Sequence, residues 1–233
     1  MNSSRFPQKV MHRFGNLKSI ELMIMRLNPL FKNSDILIAT TDSIMDNDLV
    51  IFIKSLGVNV FRGSELEVFE RVVQAANFFG KDKIVSLTAD CPLIDFRIIE
   101  RMCTFFDRND FDYMTNFMPN SFPDGMEVQL FTNVALQKAA TFPVSSKESE
   151  HVGLIFRNNL NHFSVFNFMA SERERWPNLR LTLDYKEDAE LISEILKYFS
   201  PGYSFSCSDI IDLIKLQPKL LNINSKLSKI VAR

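Results

Sequence analysis

Between Asp35 and Phe106 the chain alternates short apolar runs of strand length with longer segments whose apolar residues fall on one helical face. Asp35–Thr40 (DILIAT) reads as a buried strand, and Asp46–Leu56 follows with helical spacing until Gly57 stops it. Val58–Phe61 is a second strand. Ser64-Glu65-Leu66-Glu67 has the form of a capping box, opening a helix to Phe79 that Gly80 ends. Val68, Val72, Ala75, Ala76 and Phe79 share its apolar face. Lys83–Thr88 is a third strand, and Asp95 is placed to cap a helix carrying Ile98, Ile99, Met102 and Phe106. Strands that alternate with helices must pair through right-handed crossovers, so the expected fold class is α/β. It should be a three-layer, mainly parallel sheet with helices on both faces.

Beyond Phe111 the rhythm changes. Asp112–Asn116 and Glu127–Phe131 read as short strands separated by a turn-forming stretch, Pro119–Gly125. Helices are expected over Thr132–Ala140, Ser146–Asn159, Lys186–Phe199 and Ser206–Leu216, and strands over His162–Met169 and Arg180–Leu183. Asn222–Arg233 reads as a surface tail. The 233 residues suit a single domain spanning 1–233, with 111–169 as an inserted arm.

Charge excludes some function classes. With 27 basic and 28 acidic residues there is no single-sign field for a dedicated nucleic-acid binder, so phosphate recognition must be local. Cys91, Cys103 and Cys207 lack CxxC spacing and read as reduced structural thiols. His12, His151 and His162 are too scattered for a zinc site. No apolar run approaches the ~20 residues of a membrane span. The expectation is a soluble cytoplasmic protein, and the 22 phenylalanines, spread along the chain, read as core filling.

In an open α/β sheet ligands bind at the carboxyl ends of the strands. Asp90 follows the strand KIVSLT, and Asp184 follows RLTL. Two carboxylates converging there would suit Mg²⁺ held by few protein oxygens plus substrate phosphates; alternatively each caps the helix that follows. At the N-terminus, Ser3, Ser4, Arg5 and Lys9 cluster around Pro7. Arg as a bidentate donor and Lys as a point charge can grip a polyphosphate, although the run lacks P-loop glycines.

Taken in order, these segments resemble a family. Ser3-Ser4-Arg5-Phe6-Pro7-Gln8-Lys9 looks like the SxRxPxK signature of cytidylyltransferases that make CMP-linked keto-acid sugars. Phe61–Glu65 (FRGSE), Thr88–Asp95 (TADCPLID), Pro123–Val128 (PDGMEV), Glu148–Val152 (ESEHV) and Arg180–Tyr185 (RLTLDY) follow. The likeness spans nearly the whole chain and is greatest to the spore coat polysaccharide biosynthesis protein F branch, related to the 3-deoxy-manno-octulosonate and acylneuraminate cytidylyltransferases. It implies a nucleotide-diphospho-sugar transferase-like, Rossmann-like fold and transfer of CMP from CTP to an acidic sugar with release of pyrophosphate. Under the resemblance, Arg5 and Lys9 bind triphosphate with Ser3 in the same loop, and Asp90 and Asp184 hold Mg²⁺. Arg62, Gly63 and Ser64 wall the nucleotide pocket, with Arg71 a further contributor. Asp124, Glu127 and His151 face the sugar, and the resemblance implies that the arm over 111–169 contributes sugar-site contacts and the contacts of a homodimer.

Two departures stand out. Relatives carry a buried strand and an Ala-Arg pair before the signature, so an internal methionine taken as the start, with the first strand missing, is the expectation here. Gln8 stands where glycine is common. The rival readings are a metal-dependent α/β glycosyltransferase, which would not release pyrophosphate from CTP, and a non-catalytic nucleotide-binding or scaffold protein.

Overall fold

The computed structural model describes residues 6–227. A small antiparallel hairpin, β1 (Arg13–Phe14) and β2 (Leu17–Lys18), leads into helix α1 (Ser19–Leu27); the sequence reading assigns neither. The expected alternation follows as β3 (Leu37–Thr41), α2 (Asn47–Ser55), β4 (Asn59–Gly63), α3 (Val68–Phe79), β5 (Lys83–Ser86) and α4 (Phe96–Asp107). Next come β6 (Tyr113–Thr115), β7 (Gln129–Thr132), α5 (Asn133–Ala139), α6 (Ser146–Glu150), α7 (Gly153–Asn158) and β8 (Val165–Asn167). Helices α8 (Lys186–Phe199) and α9 (Cys207–Leu216) complete the set.

β3 and β4 pair in parallel from Leu37↔Asn59 to Thr41↔Gly63, with α2 as the crossover. A second sheet runs β5-β7-β6-β8, in which β7 is antiparallel to both neighbours and β6 is parallel to β8. The α/β class therefore holds, with parallel and antiparallel pairs mixed. The strands of residues 111–169 extend the sheet that β5 begins.

Period-two alternation along the strands builds the layers. Tyr113 of β6 lies opposite Phe131 of β7 and both enter one apolar cluster with Phe69, Val73, Ala135, Leu136, Ile155 and Phe156. One residue along, Met114 and Leu130 pair on the other face and join a larger cluster with side chains of α1, α2, α4, α8 and α9. Helices thus cover both faces of this sheet. Each buried Val, Leu, Ile, Phe or Met side chain among them stabilises the fold by roughly 1.5–3 kcal/mol.

Capping chemistry sets several helix starts. Asp95 Oδ1 accepts the N–H of Arg97 at 3.1 Å, capping α4 as expected, while Oδ2 accepts the N–H of Cys207 at 2.8 Å at the start of α9. Gly80 ends α3 at φ 67°, a left-handed cap open to glycine. The start of α3 differs from the reading. Ser64 Oγ accepts from Glu67 N at 3.2 Å, which makes a local turn, and the helix begins only at Val68. The Glu67 carboxylate is taken by Ser149 Oγ at 2.7 Å instead of closing a capping box.

Two further expectations are corrected. The helix expected over Ser146–Asn159 breaks at His151 and Val152 into α6 and α7. The break lets Gly153 press against β6, so closely that a Cβ there would fall 2.2 Å from Tyr113 Oη and 2.7 Å from Gln129 Oε1. Arg180–Leu183 is not a ladder strand. It makes one bridge, Asp124↔Arg180, and ties two loops: Leu181 N donates to Asp124 O at 2.7 Å and Leu183 N to Asp90 O at 2.8 Å.

Candidate functional site

That stitched segment builds the site. Thr182 Oγ1 adds a third tie, donating to the Asp90 carbonyl at 3.2 Å. Asp184, one residue further on, is thereby delivered beside Asp90. Both carboxylates converge on one ammonium: Lys9 Nζ lies 2.9 Å from Asp90 Oδ2 and 2.7 Å from Asp184 Oδ1. The Asp184 side chain has no solvent exposure, whereas those of Asp90 and Lys9 keep 19% and 17%. The group is enclosed on the protein side and open along one edge.

Electrostatics follow from that geometry. Burial works against the charged form of Lys9, but Asp90 and Asp184 outweigh it and raise its pKa. Burial likewise opposes ionisation of Asp90, and Lys9 more than compensates, holding the carboxyl below its ordinary range. Lys9 and Asp90 therefore stay charged at neutral pH.

Arg180 fixes the far side of Asp184. Its Nη2 donates to Asp184 Oδ2 at 3.0 Å and to Asp188 Oδ2 at 2.9 Å, its Nε donates to Asp188 Oδ1 at 3.0 Å, and its Nη1 to Asp124 Oδ2 at 3.1 Å. Burial lowers its pKa, but the Asp188 hydrogen bonds and charge reverse this and raise it. Asp188 also accepts the backbone N–H groups of Asp184 and Tyr185, both at 3.0 Å, closing the first turn of α8. One guanidinium therefore joins three carboxylates from two loops and a helix.

Through Asp124 the network reaches Glu127. The loop holding both is pinned by the buried Asn116, which donates to Met126 O at 2.7 Å and accepts from Val128 N at 2.8 Å. Glu127 Oε2 accepts the N–H of Gly125 at 2.8 Å and lies 3.7 Å from Cys91 Sγ, which is 3.6 Å from Asp90 Oδ1. Burial first, and then the neighbouring Asp124, push the Glu127 carboxyl up to about 8. Burial first, and then Asp90 and Glu127, raise the Cys91 thiol well above its ordinary value, so it is a neutral spacer between carboxylates.

The sequence-derived candidates fall into distinct places. Lys9, Asp90, Asp184, Asp124 and Glu127 share the connected group just described. Arg62 clamps the loop after β3, donating to Thr41 O at 2.9 Å, Ser43 O at 2.6 Å and Asn47 Oδ1 at 2.8 Å. Gly63 is overlaid by Arg71, whose Cγ would stand 3.1 Å from a Cβ there, and Arg71 Nη1 donates to Ser64 O. These residues form a braced wall. His151 stands exposed at the break between α6 and α7. Ser3 and Arg5 lie outside the described residues. Arg180 and Asp188 escaped the sequence reading of the site, although their spacing with Asp184, four residues either way, was visible.

The residues fit a divalent metal of one kind. Two hard oxygens, Asp90 Oδ2 and Asp184 Oδ1, point at one position that already accommodates a cation. Among the described residues no group of three or more His, Cys, Asp and Glu side chains could hold a metal. A site with two protein oxygens suits Mg²⁺, which keeps waters and takes substrate phosphates, and not a zinc cage.

A profile for the family described as Cytidylyltransferase matches residues 1–210. The chain belongs to the cytidylyltransferase family. Spore coat polysaccharide biosynthesis protein SpsF of Bacillus subtilis (strain 168) is 30% identical over 224 residues, which cover 94% of this chain and 92% of that protein. The structure of a cytidylyltransferase from Leptospira borgpetersenii serovar Hardjo-bovis superposes with a TM-score of 0.88 at 32% identity, covering 94% of this chain and 92% of that one. A CMP:2-keto-3-deoxy-manno-octonic acid synthetase complexed with CTP shares the fold, with a TM-score of 0.62 at 14% identity over 84% of this chain and 94% of that one. Among the described residues of this cytidylyltransferase-family protein, no helix is long and apolar enough to cross a membrane.

Proposed function

We propose that the chain transfers CMP from CTP to an acidic, keto-acid sugar with release of pyrophosphate, in surface polysaccharide biosynthesis. The observation that carries the chemistry is the convergence of Asp90 and Asp184 on one cation position, which the ammonium of Lys9 occupies. Family membership supports CTP as the donor, and likeness to a spore coat polysaccharide biosynthesis protein of Bacillus subtilis supports the polysaccharide context.

In the reaction a sugar hydroxyl oxygen attacks the α-phosphorus, the bond to the bridging β-phosphate oxygen breaks, and the hydroxyl proton is released. Catalysis of this kind rests on positioning and on offsetting phosphate charge, with no covalent enzyme intermediate. Asp90 and Asp184 would hold Mg²⁺, which supplies charge neutralisation at the α-phosphate when bound. Lys9 offsets charge on the departing pyrophosphate, and Arg5 is assigned the same task. Arg62, Gly63 and Ser64 shape the nucleotide wall, with Ser3 in the triphosphate loop. Asp124, Glu127 and His151 are assigned to the sugar side.

The test is pyrophosphate release from CTP and Mg²⁺ against a panel of eight- and nine-carbon keto-acid sugars. Turnover with one of them, and with CTP in preference to ATP, GTP and UTP, supports the reading. Absence of both turnover and CTP binding across the panel would sink it.

A further inference from the structure

Lys9 sits where the proposed metal would sit. Its ammonium contacts Asp90 Oδ2 and Asp184 Oδ1 at 2.9 and 2.7 Å, the two oxygens that converge for a divalent ion. A Mg²⁺ or Mn²⁺ ion binds carboxylate oxygen at about 2.1 Å, so it would occupy nearly the same point as Nζ. Two cations cannot share that point. Metal binding therefore requires Lys9 to leave both carboxylates.

Where Lys9 goes decides the cost. With metal alone, the ammonium gives up two charge-assisted hydrogen bonds and meets a dication at close range. With a polyphosphate at the open edge, it exchanges two carboxylates for phosphate oxygens. The move is short. Lys9 starts a single turn spanning Lys9–Met11, its side chain keeps 17% exposure, and a four-carbon stem swings Nζ without backbone change. Asp184 meanwhile stays fixed by Arg180 at Oδ2, so the emptied position keeps its shape.

Building on the nucleotidyl-transfer reading, we infer that Lys9 is a resident cation that blocks the metal position in the nucleotide-free protein and is drawn off by a polyphosphate. Divalent metal and nucleoside triphosphate then bind with positive coupling, each raising the affinity for the other by the same factor. The device keeps metal from settling before the nucleotide arrives, and it neutralises the acid pair in the meantime.

Mn²⁺ binding followed by electron paramagnetic resonance tests this on the full chain, comparing wild type with Lys9→Gln and Lys9→Met. Wild type alone should bind Mn²⁺ weakly. Both variants should bind it at least about tenfold more tightly without nucleotide, and Mn²⁺ alone should raise their melting temperatures and not that of wild type. Inorganic tripolyphosphate or CTP should increase protein-bound Mn²⁺ in wild type by about tenfold or more, and by less in the variants. Equal Mn²⁺ affinity of wild type and both variants, with folding confirmed by circular dichroism, would overturn the inference. If tripolyphosphate produces the gain and CTP does not, the Lys9 inference stands and the CTP reading falls.

Discussion

The backbone N–H of Leu183 donates to the carbonyl oxygen of Asp90 at 2.8 Å, fastening together two acidic loops that are remote in the chain. This one bond, with Thr182 Oγ1 on the same carbonyl, explains why two carboxylates at the ends of separate segments meet over a single cation. The site is thus a product of loop stitching more than of either segment alone.

Asp90→Asn should reduce turnover by at least about a hundredfold, the loss typical when one pre-organised charge contact is removed. Stability should fall by about 1–3 kcal/mol, because Asp90 is mostly buried against Lys9, although Lys9 retains Asp184. Asp184→Asn should be equally inactive but less stable by a few kcal/mol, since it leaves Arg180 and Lys9 facing a neutral buried group. Steady-state rates and urea unfolding separate the two effects. Near-wild-type turnover in either variant would refute the metal assignment.

Arg180→Met should destabilise the fold by about 3–5 kcal/mol, because Asp184 and Asp188, both without side-chain exposure, lose their shared cation. Arg180→Lys should recover only part of this, since one ammonium cannot reach three carboxylates in the fork geometry of a guanidinium. Chemical denaturation midpoints check the order wild type, then Lys, then Met. A Met variant as stable as wild type would mean that the network is incidental.

Gly125→Ala tests the docking of the loop that carries Asp124 and Glu127. Gly125 has φ +108°, and a Cβ would stand 2.8 Å from the Leu181 carbonyl carbon and 2.9 Å from Thr182 N, both backbone atoms that cannot yield cheaply. The expected result is a loss of about 2 kcal/mol or more together with a large loss of activity, as the RLTL segment is pushed off its partners. A thermal melt and a turnover assay read both. Unchanged values for both would show that the loop does not depend on this close approach.

These outcomes mark what the sequence could and could not disclose. The β3–α4 alternation was legible because hydrophobic period and glycine stops are local signals, and Asp95 announced its cap directly. The α6–α7 break was harder to see. It goes with the close approach of Gly153 to Tyr113 Oη, a contact between distant segments, for which a glycine inside a helical pattern is the one local hint. Arg180–Leu183 has the composition of a strand, yet its hydrogen bonds go to loops, which no periodicity encodes. Arg180 is hidden for the same reason: its three acidic partners come together only after folding, and the sequence shows only its spacing to Asp184 and Asp188.

Glu127 gives the structure a pH signature. Burial and the adjacent Asp124 raise its carboxyl from the ordinary value of 4.5 to about 8, so the folded protein keeps this proton to higher pH than the unfolded chain does. Between those values the native state binds more protons, and this group's contribution is greatest below about pH 4.5 and declines as pH climbs towards 8. Glu127→Gln stays neutral throughout and escapes the decline. The variant should therefore gain stability relative to wild type from pH 5 to pH 8, then hold a constant difference. One pKa unit corresponds to about 1.4 kcal/mol. Because the residue is only half-buried, the gain should be a few kcal/mol at most. Urea unfolding of both proteins at half-unit pH steps measures it, and a difference that does not vary with pH would show that Glu127 titrates as an ordinary carboxyl.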